Sequence, residues 1–328
     1  MMLSFFLAMA MATSERPALP GAAPCPAATR QKLLTPAKPG EGAFPLNCSI
    51  TLKRGENIAR PILIEGEQAS GVHLDCNGGK LTPGAARINV RMPTLAIWSR
   101  MAGPGRWSRP EQVLVERCAI LGAVHIYGVG AGQKVEQLVD ASRKADFTKV
   151  AQTAAPINVT IRDSRLTAIN NIPLYVGPGV TRFSLLDSRI DGKGTLAIYL
   201  DHEGGWNRIE GNDIDFEPRR EMIAIDGSAH NSIRGNHIVL RGKAAAQIYR
   251  NCGERSVIRH QAPTDNIVTG NDFDYIGAQP RVLVGQNARK GRSPVCGDDA
   301  GYPFGSSIDD MDHAERNQID GNRVRARR

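Results

Sequence analysis

A hexapeptide of the form Asn-x-(Ile/Val)-x-Gly-Asn occurs at residues 207–212, 231–236, 266–271 and 317–322. Two earlier segments, beginning at Val159 and Phe183, keep the apolar spacing but end in Asp-Ser, and fainter copies begin at Val72 and Val113. The three steps from Val159 through Phe183 and Asn207 to Asn231 are each 24 residues. No helical 3.6-residue pattern fills the second half of the unit, which argues against a leucine-rich repeat. A period of this length, with alternating apolar positions closed by Gly-Asn or Asp-Ser, suits one coil of a β-solenoid whose tight turns use Gly and Asn at positive φ. The expected fold is all-β, with about eight coils for the eight anchors.

A second apolar strand follows each anchor at a nearly constant offset, at Ile126, Val176, Leu200, Ile225, Ile248 and Val284. From these strands to the next anchor the chain takes 33, 7, 7, 6, 18 and 33 residues in turn. The extra chain therefore leaves from one turn of the coil, and the long loops should wall a groove over the central rungs. Function commonly resides on such loops.

The first clear rung runs from Val72 to Gly79 and turns on Asn77-Gly78-Gly79. With the later Gly-Asn turns, it resembles the right-handed parallel β-helix of the pectin lyase-like superfamily. That resemblance covers roughly residues 60–328 and implies a carbohydrate-active protein: a polysaccharide lyase, a uronan epimerase, a glycoside hydrolase, or a non-catalytic binding or cell-surface protein. Fold alone does not choose among them.

Strand alternation selects the candidate residues. If Leu200, Ile225 and Ile248 face the core, then Asp201, Asp226 and Tyr249 face outward in one column, with Gly177 and Gly285 on flanking rungs. His202, Glu203, Arg250 and Asn251 follow within two residues, and Glu221 and His260 border the patch. Two carboxylates on adjacent rungs, about 5 Å apart, cannot both ionise cheaply, so one should keep a proton or the pair should recruit a cation such as calcium. Three chemistries use that situation. In an elimination or epimerisation on an acidic glycan, Arg250 neutralises the uronate while Tyr249, His202 or His260 moves the proton. In a hydrolase, Asp201, Asp226 and Glu203 supply acid and base. In a metal site, Asp201 and Asp226 hold calcium. Asn251, Glu254, Arg259, Glu221 and Tyr302 are the expected substrate contacts. The tripeptide Asp201-His202-Glu203 is also similar to the D-P-H-(D/E) signature of β-helix mannuronan C5-epimerases, though it lacks the intervening proline. That similarity implies a substrate-carboxylate or proton-transfer role for Asp201 and a base in His202.

Residues 1–12 read as a signal peptide, because a short apolar run ends in Ala10-Met11-Ala12. Residues 13–60, rich in Ala and Pro, read as a leader and N-terminal cap, leaving 61–328 for the helix. The run is too short to span a bilayer, and a secreted or periplasmic location follows from these features. Six cysteines permit three disulfides, Cys252 with Cys296 being the pair that both lie in groove loops. The formal net charge of +8 favours an anionic glycan as partner. Nucleic acid is not expected, since the basic residues are scattered and no reader motif is present.

Overall fold

The structure is a computed structural model that describes residues 21–86, 93–130, 134–289, 292 and 299–327. The expected signal peptide lies outside the described residues, as does Cys296, so the Cys252–Cys296 pairing does too.

The chain winds as a right-handed parallel β-helix. Three sheets of nine strands each run along it, and every pairing within them is between successive coils. The groove sheet contains Val124–Tyr127, Leu174–Val176, Ile198–Leu200, Ile223–Asp226 and Ala246–Tyr249. The anchor sheet is built from the repeated hexapeptides, among them Arg208–Glu210 and Ser232–Arg234. The third sheet contains Asp213–Pro218 and His237–Leu240. Among the described residues the coils number nine, where about eight were expected. The first is made by Phe44–Pro45, Ile50–Thr51 and Ile58–Ala59, inside the stretch expected to be leader and cap. Ahead of it, helix α1 (Ala27–Leu34) buries Leu33 against the core at this end.

Register explains the core. Leu185, Ile209, Ile233 and Val268 stack in one inward column of the anchor sheet. Val176, Leu200, Ile225 and Ile248 do the same in the groove sheet. All eight are 1 % exposed or less. The corner between the anchor and third sheets needs a left-handed residue, supplied by Gly211 and Gly235 (φ +70° and +61°) and on earlier rungs by Asp163 and Asp187. The next residue points inward. Asn212, Asn236 and Asn271 each accept a bond from the backbone N–H of the previous rung and donate their amide to a backbone carbonyl of that rung. Ser164 and Ser188 continue this ladder, and the Cys76–Cys118 disulfide ends it. The second bridge, Cys25–Cys48, fastens the N-terminal segment.

Insertions leave mainly from the end of the groove sheet, as the spacing implied. One is a hairpin, Arg100–Gly103 with Arg106–Ser108. Another carries helices α2 (Val135–Ser142) and α3 (Phe147–Ala154). Two more follow Tyr249 and Gln286. Among the described residues no helix is long and apolar enough to cross a membrane.

Candidate functional site

Two outward columns run along the groove sheet. One contains His125, Tyr175, Tyr199, Ala224, Gln247 and Gly285. In the other, Trp98 pairs with Tyr127 and Asp226 with Tyr249; Asp201, one residue past the paired Leu200 and Ile225, falls beside Asp226. Gly285 thus sits opposite Gln247 rather than in the Tyr249 column, because Val284 pairs with Ala246 and the last groove strand is displaced by two residues from the expected alignment. Gly177 does flank Asp201, and its missing side chain has a use: a Cβ there would lie 2.7 Å from the Ile126 carbonyl oxygen and 3.0 Å from the Tyr127 ring. Tyr127 leans into that space and stacks on Tyr175 at 5.2 Å, and Tyr175 stacks on Tyr199 at 5.1 Å.

These aromatic rings floor a cleft of about 450 Å³. One wall comes from the α2 insertion through Val129, Val135 and Leu138. The opposite side is formed by Asn251, Glu254, Arg255 and Arg259 from the loop after Tyr249, together with Arg220 and Arg289. Asp201 and His202 line it as well. Among the described residues, four guanidinium groups therefore face two carboxylates, an excess of positive charge suited to an anionic ligand.

Asp201 is the hub. Its Oδ2 accepts from the Tyr175 hydroxyl, and its Oδ1 accepts from Arg259 Nη1 at 3.2 Å and from the His202 backbone N–H at 2.8 Å. His202 Nδ1 lies 2.8 Å from the same oxygen, which makes Nδ1 the protonated nitrogen and leaves a lone pair on Nε2. Nε2 is buried and has no hydrogen-bond partner among the described residues. Burial pushes the Asp201 carboxyl up, while Arg259 and Tyr175 hold it down.

Asp226 and Tyr249 point out of the coil yet are roofed by the loops, at 0 % and 1 % exposure. Asp226 accepts from Tyr199, from the Asn251 backbone N–H at 2.8 Å and from its amide at 2.6 Å. Burial and the neighbouring Asp201 charge push it up to about 8, so the pair keeps one proton at neutral pH. Tyr249 takes a 2.8 Å bond from Arg220, sits 3.4 Å from Glu221 and carries the Arg289 guanidinium over its ring. Burial and Asp226 raise the Tyr249 phenol, and burial likewise raises Tyr127, Tyr175 and Tyr199. These phenols stay neutral, which suits proton donors and not phenolate bases.

The remaining candidates lie elsewhere. Glu203, 0 % exposed, accepts from Thr148 of α3 and from the backbone N–H groups of His260 and Gln261, and so pins two loops. His260 packs between Phe147 and Phe304 with Nε2 on the Ser142 carbonyl. Arg250 turns away to the carbonyls of Asp309 and Met311 and to the Asp309 carboxylate. Its strand ends at Tyr249, so alternation no longer sets its direction. Glu221 pairs with Arg220 beneath the cleft. Tyr302 packs beside Phe304. Asn251, Glu254 and Arg259 do reach the cleft.

Calcium does not fit Asp201 and Asp226 as they stand. The ion takes six to eight oxygens, whereas N–H and O–H donors already approach both carboxylates. Sequence reasoning missed Tyr175 and Tyr199, whose signal was an aromatic residue between two apolar ones at a 24-residue interval. It also missed Arg220, Arg255 and Arg289, which sit outside the repeat.

No protein-family model and no curated protein matches the sequence. Among solved structures, an alginate lyase from Paenibacillus sp. str. FPU-7 is similar at 12 % identity, over 78 % of this chain and 94 % of that one, with a TM-score of 0.26. An endo-xylogalacturonan hydrolase from Aspergillus tubingensis is similar at 11 % identity, over 85 % of this chain and 86 % of that one, also with a TM-score of 0.26.

Proposed function

We propose that the protein is an exported enzyme that performs acid–base chemistry on an acidic polysaccharide, by β-elimination or C5-epimerisation of a uronate. One observation carries this reading: Asp201 and His202, paired through Oδ1 and Nδ1, both line a cleft with four guanidinium groups, and the buried Nε2 has no hydrogen-bond partner among the described residues.

A proton next to a carboxylate is removable only when the carboxylate charge is neutralised. Arg220, Arg255, Arg259 and Arg289 are the groups for that task. His202 Nε2 takes the C5 proton. In elimination, the freed electron pair forms the C4–C5 double bond and the C4–O bond breaks. The departing oxygen takes a proton from a neutral phenol, for which the half-buried Tyr127 is placed; in epimerisation the C4–O bond stays intact and the phenol gives its proton to C5 on the face opposite His202, which keeps the abstracted proton until solvent resets both groups. The disulfides Cys25–Cys48 and Cys76–Cys118 suit an oxidising compartment. A hydrolase reading is weaker, because Asp226 and Glu203, unlike Asp201 and His202, are not among the residues lining the cleft.

The test is a panel of alginate, polygalacturonate and hyaluronan. Products are assayed for ultraviolet-absorbing unsaturated ends, for reducing ends and for uronate composition, with wild-type protein and His202→Ala. Unsaturation or altered uronate ratios that vanish in the variant support the reading. Reducing ends without unsaturation would establish hydrolysis instead.

A further inference from the structure

A second, smaller cavity of about 220 Å³ lies beside the main cleft. Four separate elements build it: the neighbouring groove-sheet strands Ile62–Glu65 and Leu95–Trp98, the hairpin that follows, and the start of α2. Trp98 and Trp107 supply its apolar surface. Trp98 Nε1, Ser99 Oγ and Gln137 Oε1 are all buried without a hydrogen-bond partner among the described residues. Ser99 is only 1 % exposed. Buried polar atoms are normally satisfied, so three orphans around one cavity need an explanation. They comprise an obligate donor, an obligate acceptor and a hydroxyl that can do either. These three atoms are shielded from solvent, so the surface the cavity offers a ligand is the indole of Trp98 and Trp107, on which the apolar face of a sugar ring can lie. Arg100 and Lys134 border the cavity opposite the single carboxylate of Glu65, leaving it mildly cationic.

A contact between aromatic rings links the cavity to the main site. The Trp98 ring meets Tyr127 edge-on at 6.3 Å, and Tyr127 opens the stack that ends at Tyr199. Trp98 stands three rungs before Asp201 in the same column, a separation of about 14 Å at the spacing of neighbouring strands.

We propose that the cavity between Trp98, Trp107 and Gln137 is a distal carbohydrate subsite, which holds a further sugar residue of the chain whose reacting residue lies at Asp201–His202. The enzyme then grips an oligomer spanning several residues and discriminates against short fragments. This rests on the acid–base reading of the cleft, but it is measured independently of turnover.

The third tryptophan, Trp206, is exposed and stacks on His230 outside both cavities. In a Trp206→Phe protein, all indole emission therefore comes from the proposed subsite. That protein is titrated with disaccharides and hexasaccharides prepared from alginate and polygalacturonate. The hexasaccharide of the substrate polymer should shift the emission and bind about tenfold more tightly than the disaccharide. Adding Trp107→Ala or, on the helix, Gln137→Ala should erase that advantage while leaving turnover of short fragments unchanged. His202→Ala should leave the titration intact. If a hexasaccharide is turned over but neither moves the emission nor loses affinity in either variant, the cavity holds only water and the subsite is overturned, while the cleft reading survives. If the emission responds yet no oligouronate is turned over, the subsite stands and the acid–base reading falls.

Discussion

His202 Nδ1 lies 2.8 Å from Asp201 Oδ1, and the backbone N–H of the same histidine bonds that oxygen at the same distance. Ring and backbone are therefore fixed by one carboxylate oxygen, which sets the tautomer and leaves the lone pair on Nε2. General-base catalysis contributes about 10²- to 10⁴-fold. His202→Ala should lose turnover by that factor with little change in substrate affinity, since the arginines remain. Steady-state kinetics beside a thermal melt check this; wild-type kcat in a folded variant would remove His202 from the chemistry.

Tyr175 acts through Asp201. Its hydroxyl stabilises the ionised carboxylate, so removing it should raise a carboxyl that burial already pushes upward. His202 needs Asp201 ionised. The acid limb of the kcat/KM profile should therefore move to higher pH in Tyr175→Phe, with the plateau nearly restored in alkali. A merely structural role would lower stability and leave that limb in place.

Asp226 should make stability fall as pH rises. The unfolded carboxyl ionises near 3.8, while the folded one is pushed up to about 8 by burial and the Asp201 charge. Between those values the native state holds one proton more than the unfolded state, so its stability declines by about 1.4 kcal/mol per pH unit from this group. Asp226→Asn cannot titrate. Denaturant unfolding from pH 5 to 8 should show a shallower decline in the variant, and an unchanged slope would mean that Asp226 is ionised in the fold.

The coil was legible because its signal is local and repeated. A left-handed Gly followed by an inward Asn recurs wherever the chain turns the same corner, as at Gly211-Asn212 and Gly235-Asn236. Alternation likewise placed Asp201, Asp226 and Tyr249 in one outward column. Exposure was not legible, because it depends on loops with no period. Helix α3 and the segment after Tyr249 roof the column, so Asp226 and Tyr249 end up beneath the cleft while Asp201 and His202 line it. Arg250 and Glu203 fell outside the pattern for a related reason. Arg250 follows Tyr249 and Glu203 lies three residues past Leu200, both beyond the strand ends, and their directions are set by loop contacts with Asp309 and Thr148. Cys76 and Cys118 lie four and five residues after the anchors Val72 and Val113, so their closeness on neighbouring rungs could have been read from the repeat.

The asparagine ladder should carry measurable stability. Asn236 accepts from the Asn212 backbone and amide at 3.0 and 2.9 Å, and donates to the Ile209 carbonyl and to Asn271 at 2.8 and 2.9 Å. Asn236→Ala strands buried partners on both neighbouring rungs. A loss of about 2–4 kcal/mol is expected, from the cost of leaving buried donors and acceptors unpaired. The exposed Gly235 before it has open space around its missing Cβ, but its φ of +61° still opposes substitution. Denaturant midpoints at constant slope would measure the loss for Asn236→Ala, and a change below about 0.5 kcal/mol would show that the ladder is dispensable.

Glu203 gives a different kind of prediction, because it links loops rather than rungs. One carboxylate oxygen accepts the backbone N–H groups of His260 and Gln261 at 2.7 and 3.2 Å, and the other accepts the Thr148 hydroxyl of α3. The Gln152 amide adds a 2.9 Å bond to the Glu203 carbonyl. Both walls of the cleft are thus tied to one side chain on the rung that carries Asp201 and His202. In Glu203→Ala the solenoid core is untouched, so the global unfolding transition should survive. The walls should instead open locally, exposing 147–154 and 254–261 to faster amide exchange. Arg259, held in the second of those segments, would then lose its fixed place beside Asp201. Substrate affinity should weaken more than kcat falls, and Glu203→Gln, which keeps an acceptor for the backbone N–H groups, should recover part of the loss. Uniform exchange rates across both segments in wild type and Glu203→Ala would show that the walls stand without this tie.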